Sequence, residues 1–374
     1  MTQRDRVTIT ALPGNGGRSI TIDRATQYEI VRDLTAPSEA RFELGDESTF
    51  EALQDALEIG TRFRVAVNGT DLMVGRALVR NPVTSASAGS TVQLTVRTRL
   101  ADAMFSSCNP SLNFRGATLE RVIIDAYASI GLTAADLDIR EDLQRNLFTG
   151  TTAGGRDKSI KVMFPDEARV HAPETVHQYC ERQLARFGLA QWDGVDGRIV
   201  IGAPDDTQSP RYRFQARRAG RGARNNAMQA SRIEDYEAVP DELMIAGYGS
   251  GFNALWARIK ATQRDPKLEA VSPKLFRRAI VADGGIWSQG QADARANKEM
   301  SARSRQKDAY QFEVDGWTQN GELYDVDTTA DVAVDGVGGL AGTHLVWRVE
   351  LRGSASEGQV ARISTVAKGI WKLK

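Results

Sequence analysis

Cysteine and histidine are scarce. The 374 residues hold two cysteines, Cys108 and Cys180, and three histidines, His171, His177 and His344. Two thiols cannot staple a chain of this length, so the expectation is reduced cysteines in a protein made in the cytoplasm. The histidines are poorly spaced for zinc. A helix-borne pair sits at i, i+4, whereas His171 and His177 are six apart. His177 and Cys180, at i, i+3, can share a ligand, but Cys180 falls on an apolar helical stripe, where a small buried thiol is ordinary. A Cys180 nucleophile served by His177 or His344 has no flanking signature. An excess of one charge is also missing: 48 Lys and Arg balance 48 Asp and Glu. Polyanion binders usually carry a basic surplus, so sequence-specific nucleic-acid binding and an anionic membrane surface are not expected. There is no apolar run of about 18 residues, so no membrane-inserted helix is expected. The polar start, Met1 to Arg6, lacks the apolar core of a signal peptide.

What is present is a globular composition, 41% apolar and 26% charged, in a chain long enough for two or three domains. Residues 7–10 and 19–22 alternate around a Pro13 to Gly17 turn. Residues 28–44 hold two strands broken at 36–38. Ser48 and Glu51 form a capping-box pattern opening a short helix over 48–57. Residues 62–67 and 72–79 flank Asn68-Gly69, a hairpin turn. In 91–100, Val92, Leu94, Val96 and Thr98 share one face. The middle is helical: Leu119, Val122, Ile123, Ala126, Tyr127 and Ile130 make one stripe closed by Gly131. A second stripe, from Pro173, is Val176, Tyr179, Cys180, Leu184 and Phe187. Residues 150–159 read as a loop and 189–201 as a hairpin. A helix over 287–305 has a small face, Ala292 and Ala296, suited to close packing on a sheet. Four strands finish the chain, over 310–315, 324–334, 343–352 and 359–371. The expected fold is mainly β with an α+β insertion: a first β domain over 1–107, a helix-bearing insertion over 108–206, and a second β domain over 207–374.

Enzyme signatures are absent. The string 247–251 lacks the spacing of a serine-hydrolase elbow. The glycine-rich run 336–342 is followed by a β-like segment rather than the helix a dinucleotide site needs. No cofactor, metal or catalytic residue is assigned.

The strand faces carry more. On 324–335 one face is apolar and the other bears Asp325, Asp327, Asp331 and Asp335. Arg348, Glu350 and Arg352 lie on the polar face of the next strand. Early strands present Arg62, Arg64, Arg97 and Arg99. One reading is plain solvated surface. The other is that acidic and basic sheet faces meet between subunits or line a shared channel, since segregated charge of zero net sum suits complementary association.

The carboxy-terminal run reads Phe312-Glu313-Val314-Asp315-Gly316-Trp317, then Gly321-Glu322-Leu323-Tyr324, then a valine and glycine-rich stretch to Gly342, then Leu345-Val346-Trp347-Arg348-Val349. With the helix before it, this resembles the baseplate hub proteins of contractile-tailed phages, of the phage Mu type, related to the T4 central hub and to the amino-terminal part of VgrG spikes. The resemblance implies a non-enzymatic homotrimer in which the β domains over 1–107 and 207–374 are tube-like β-barrel domains. Its two alike sheet modules per chain would let three copies imitate six, joining a sixfold tail tube to a threefold membrane-piercing spike. Implied partners are further copies of itself, a tail spike protein, a tail tube or tube-initiator protein, baseplate wedge proteins and the tape-measure protein. The implied location is the virion baseplate, assembled in the bacterial host cytoplasm. A hub of a type VI-like secretion or extracellular injection system is the alternative. A tail-associated cell-wall-degrading enzyme comes third.

Overall fold

The computed structural model describes residues 5–12, 19–22, 25–45, 59–85, 89–112, 117–140, 149–151, 157–159, 168–217, 225–237, 239–247, 259–265, 268, 277–336, 340–354 and 358–369. The expected helix over 48–57 and the Pro13 to Gly17 turn lie outside these residues. The architecture is mainly β, with a helix-bearing segment between two sheet regions.

The first region holds β1 (Val7–Leu12), β2 (Ile20–Ile22), β3 (Ala25–Asp33), β4 (Glu39–Leu44), β5 (Arg62–Val67), β6 (Thr70–Ser85) and β7 (Gly89–Arg97). Their antiparallel order is β3-β4-β7-β6-β5-β1-β2. Alternation sets the faces: Val92, Leu94 and Val96 of β7 are buried while Gln93 is exposed. Asn68 and Gly69, at φ 51° and 83°, make the β5–β6 turn, the left-handed geometry that an Asn-Gly pair adopts at low cost.

The segment that follows holds α1 (Arg99–Phe105), α2 (Leu119–Ala128), β8 (Leu137–Ile139), β9 (Thr149–Thr151), β10 (Asp157–Ser159), α3 (Val176–Ala185), β11 (Ala190–Asp193) and β12 (Ile199–Gly202). Helix α1 corrects the expected strand over 91–100. The strand stops at Arg97, and Leu100 and Ala103 turn at helical spacing into the core of this segment. The stripes of α2 and α3 are buried as expected, with Tyr127, Tyr179 and Cys180 fully enclosed. Helix α3 begins at Val176 rather than Pro173, because Thr175 caps it: its hydroxyl accepts from the Gln178 N–H at 3.1 Å, and Gln178 accepts from the Thr175 N–H at 3.0 Å. The expected loop over 150–159 contains the short β9–β10 hairpin.

The last region holds β13 (Tyr212–Ala216), β14 (Ala227–Ile233), β15 (Glu242–Gly247), β16 (Ile259–Arg264), β17 (Arg278–Asp283), α4 (Gln289–Lys307), β18 (Ala309–Asp315), β19 (Thr318–Gln319), β20 (Glu322–Leu323), β21 (Thr328–Val334), β22 (Leu340–Ser354) and β23 (Gly358–Ala367). The main order is β13-β21-β22-β23-β18-β14, and β16-β15-β17 form a separate small sheet. Helix α4 lies on that small sheet through Ala292 and Ala296, which are fully buried with Leu243, Ile245 and Ile286. The strand expected from Tyr324 starts only at Thr328, since Asp327 takes a positive φ of 55°. A bulge at Trp347 shifts the phase along β22, so the buried Val346 before it shares a face with the buried Val349 and Leu351 after it.

One strand joins the two regions. The first half of β22 pairs with β21, while its second half, Arg348 to Ser354, pairs on the same side with Asp33 to Gln27 of β3. Along its other edge, β22 pairs with β23. The hydrophobic core is correspondingly continuous, from Val7 and Phe42 to Phe312 and Val366.

The two regions repeat each other strand for strand: β5-β6-β7-β4-β3 corresponds to β21-β22-β23-β18-β14. The registers coincide as well. In the long hairpins, Val79–Thr95 and Ser85–Gly89 correspond to Arg348–Ser364 and Ser354–Gly358, with a bulge at Leu78 matching the one at Trp347. In the next ladders, Ala25–Leu44 and Gln27–Glu43 correspond to Ala227–Val314 and Gln229–Glu313, with a bulge at Thr26 matching one at Met228.

Replacing Ala296 by Leu should overpack the α4 contact and cost about 1–3 kcal/mol. Chemical denaturation of the variant against the parent measures this.

Candidate functional site: the sheet joint and its charged face

The two faces of the β3–β22 joint do different work. On the core side, β3 presents Ile30 and then Arg32, whose side chain is almost fully enclosed. Its guanidinium donates to the Leu72 carbonyl at 2.8 Å and to the Asp193 carbonyl at 2.9 Å, and lies 3.1 Å from the Asp325 carboxylate. One side chain thereby ties β3 to β6, to β11 of the helix-bearing segment and to the turn before β21. Asp193 is itself buried and accepts from the Thr98 hydroxyl at 2.5 Å and the Ser38 N–H at 2.7 Å. Burial raises its pKa, against the lowering effect of these donors and of Arg32.

The other face is a band of alternating charge. Directly paired residues share a face, so register alone places Arg97, Glu39, Arg41, Glu29, Arg352, Glu350, Arg362 and Glu313 on one surface spanning both regions. Arg97 bonds Glu39 at 2.6 Å, and Arg41 reaches both Glu39 and Glu29. Across the joint, Arg352 contacts Glu29 at 3.0 Å and Glu350 at 3.3 Å. Arg348 bridges Glu350 at 2.7 Å and the buried Asp33 at 3.1 Å. Arg362 continues the band to Glu313 at 3.4 Å. Such half-exposed pairs are individually weak, and a network fixes geometry more than it adds stability. A depression of about 230 Å³ opens on this face between Gln27, Glu29, Arg41 and Gln93.

The remaining residues singled out in the sequence are placed as follows. Arg62 stands opposite Arg76, which stands opposite Arg97, a row of three cations across β5, β6 and β7. Arg99 follows and ion-pairs with Asp136. Burial, then the repulsion of Arg62 and Arg76, lowers the Arg99 pKa. Arg64 lies 3.7 Å from Asp71. Asp325 and Asp327 are not on a strand face: both sit in the turn before β21, Asp325 against Arg32 and Asp327 against Arg140. Asp331 is exposed on β21, 4.0 Å from Arg213. Thr329, expected on the polar face, is fully buried. The structure thus brings Arg97, Arg348, Glu350 and Arg352 onto one band, groups Arg62 with Arg99 beside it, and sends Asp325 and Asp327 to internal junctions.

Sequence reasoning missed the clamps that hold the helix-bearing segment. Arg186, after α3, makes two bonds to Asp283 at 2.9 and 2.6 Å, all buried. A Cβ at Gly285 would meet that guanidinium at 2.1 Å, so a side chain there would have to displace Arg186 from Asp283. Lys298 of α4 bonds Glu181 of α3 at 2.6 Å. Arg140 pairs with Asp327, which also accepts from the Asp205 N–H at 2.9 Å. Each partner lies about 100 residues or more from the other, a distance at which spacing carries no signal. Both thiols are enclosed: burial raises Cys180 well above the ordinary range and Cys108 to about 11. A nucleophilic cysteine needs the opposite shift. Among the described residues, no group of three or more His, Cys, Asp or Glu is placed to hold a metal ion, and no helix is long and apolar enough to cross a membrane.

Two outcomes test this geometry. Arg32→Met should cost about 3–5 kcal/mol in denaturant unfolding, since it leaves the carboxylate and carbonyl partners of a buried cation uncompensated. Burial pushes Asp327 up to about 6, against the lowering effects of the Asp205 N–H and Arg140. A folded pKa above the unfolded value means the native state binds more protons between the two, so stability should fall as pH rises from about 4 through about 6. Asp327→Asn should flatten that part of the stability–pH curve.

The sequence matches no protein-family model and no curated protein. Solved structures do match. A tail protein from Neisseria meningitidis MC58 superposes with a TM-score of 0.74 at 16% identity, covering 99% of this chain and 98% of that one. The 43 kDa tail protein of prophage MuSo2 from Shewanella oneidensis gives 0.71 at 17% identity, covering 98% and 100%. A type VI secretion component from E. coli, described as structurally similar to the T4 tail proteins gp27 and gp5, gives 0.53 at 6% identity over 93% of this chain and 74% of that one. At these identities the likeness is one of fold, and along nearly its whole length this chain has the fold of phage tail proteins, in agreement with the resemblance to baseplate hubs read in its carboxy-terminal third.

Proposed function

We propose that this chain is the structural hub of a contractile phage-tail baseplate, a trimeric ring between a sixfold tail tube and a threefold spike. The observation that carries the reading is the internal repeat. Two sheet regions with matching strand order, register and bulges are joined edge to edge by β22 and β3. Three such chains closed head to tail present six similar modules around one axis, which is the geometric requirement for matching threefold to sixfold symmetry. In this reading residues 1–107 and 207–374 are the ring domains and 108–206 is the insertion. The partners are the tail spike protein, the tube or its initiator, wedge proteins and the tape-measure protein, and the location is the virion baseplate.

The work of such a part is mechanical and needs no catalysis. The features of this chain agree with that: its thiols are buried with raised pKa values, and ion pairs such as Arg352–Glu29 and Arg186–Asp283 span modules. The second reading, a hub of a type VI-like secretion system, is favoured by the fold shared with the E. coli secretion component. Light scattering at assembly concentrations should give about three times the chain mass of 40.9 kDa, and negative-stain images should show a threefold ring with a central opening. A monomer at all concentrations, or a compact particle without an opening, overturns the hub.

A further inference from the structure

The joint inside the chain is a template for a joint between chains. The second half of β22 is covered by β3. Its counterpart in the repeat is the second half of β6, where β5 ends at Arg76 and no described strand covers the edge beyond it. The counterpart of β3 is β14, which ends the sheet path with its outer edge unpaired by any described strand. Residues 79–84 of β6 are all exposed. Exposed valine, isoleucine and methionine sit on these edges: Val79 is 50% and Val83 41% exposed on β6, Ile233 49% and Met228 57% on β14. A long unpaired strand carrying exposed apolar residues is a site for pairing with another chain.

We infer that the edge of β6 beyond its bulge pairs antiparallel with β14 of a second copy of this chain, in the register that β22 keeps with β3. This rests on the ring reading above and names the contact that closes the ring. The intrachain pairs Arg348–Asp33, Val349–Arg32 and Glu350–Val31 translate through the matched registers. They become Val79 opposite Asp235, Arg80 opposite Glu234 and Asn81 opposite Ile233 of the neighbour. Of the three translated pairs, Arg80–Glu234 is complementary in charge. Arg80 has no ion-pair partner among the described residues, and on the core-facing side it meets the Glu234 carboxylate, which Arg232 of the same copy contacts at 2.8 Å. On the other side Ile233 of one copy falls diagonally between Val79 and Val83 of the next, within reach of both. Pro82 has no N–H, so the rung at Pro82, opposite Arg232 of the neighbour, lacks that donor. The contact is heterologous, using a different edge from each copy, and this is the type of interface that closes into rings.

Cysteine cross-linking of the full chain tests the register. Neighbouring pairs of an antiparallel ladder alternate between close and wide spacing, so two double variants are made, Arg80→Cys with Glu234→Cys and Asn81→Cys with Ile233→Cys. At least one should give disulfide-linked ladders of dimer and trimer under mild oxidation, while Arg80→Cys with Thr10→Cys, remote in the register, should not. Independently, Arg80→Glu and Glu234→Arg should each raise the concentration for half assembly by about tenfold, and the double swap should restore it. If the chain assembles but neither cysteine pair cross-links and the charge swap does nothing, the register is wrong and the ring reading survives. If the parent chain never assembles, both fall.

Discussion

A single strand serving two sheets is the constraint on which this molecule depends. β22 has one edge shared between β21 and β3, and the division falls beside the bulge at Trp347. The extra residue there twists and redirects the strand, which allows its two halves to lie in different modules. The core then runs unbroken under both. Arg32 completes the arrangement from beneath: its guanidinium binds groups from β6, β11 and the turn before β21. A buried cation with three partners from three places is costly to misplace, so it specifies the angle at which the modules meet as well as their attachment.

The helix-bearing segment is fixed by the same kind of chemistry. Arg186–Asp283, Lys298–Glu181 and Arg140–Asp327 tie it to the small α4 sheet and to the second module. The fully buried pair, Arg186–Asp283, adds little net stability compared with apolar packing but penalises any other docking, while the other two each have one half-exposed partner. The outward charged band works differently. Its pairs are half exposed, so they leave the surface close to neutral along its length while keeping it well hydrated.

Local features of the fold were legible in the sequence. The face of β7, the stripes of α2 and α3, the Asn68-Gly69 turn and the small face of α4 all follow from periods of two or of 3.6 residues. What was not legible has specific causes. Arg32 stands between Val31 and Asp33, where nothing local marks it as buried; its partners Asp193 and Asp325 are remote in sequence. The bulge at Trp347 puts Val346 on the same face as Val349 and Leu351, which strict alternation assigns to opposite faces. Asp325 and Asp327 continue the pattern of β21 on paper, but the positive φ of Asp327 ends the strand before them. The repeat itself was expected from the resemblance and not from the residues. Its matched strands read Ala25-Thr26-Gln27-Tyr28-Glu29-Ile30-Val31 and Ala227-Met228-Gln229-Ala230-Ser231-Arg232-Ile233, alike at two positions. Backbone pairing preserved what side chains no longer record.

The β3–β22 ladder also determines how the molecule would carry load. Its strands run antiparallel across seven matched residues. A pull along the strand axis stresses every rung at once, as in a glued lap seam, whereas a pull across it opens rungs one after another from an end. The molecule is therefore stiff in one direction and weak in another, and a thrust delivered along β22 would pass from one module to the next without tearing the seam between them.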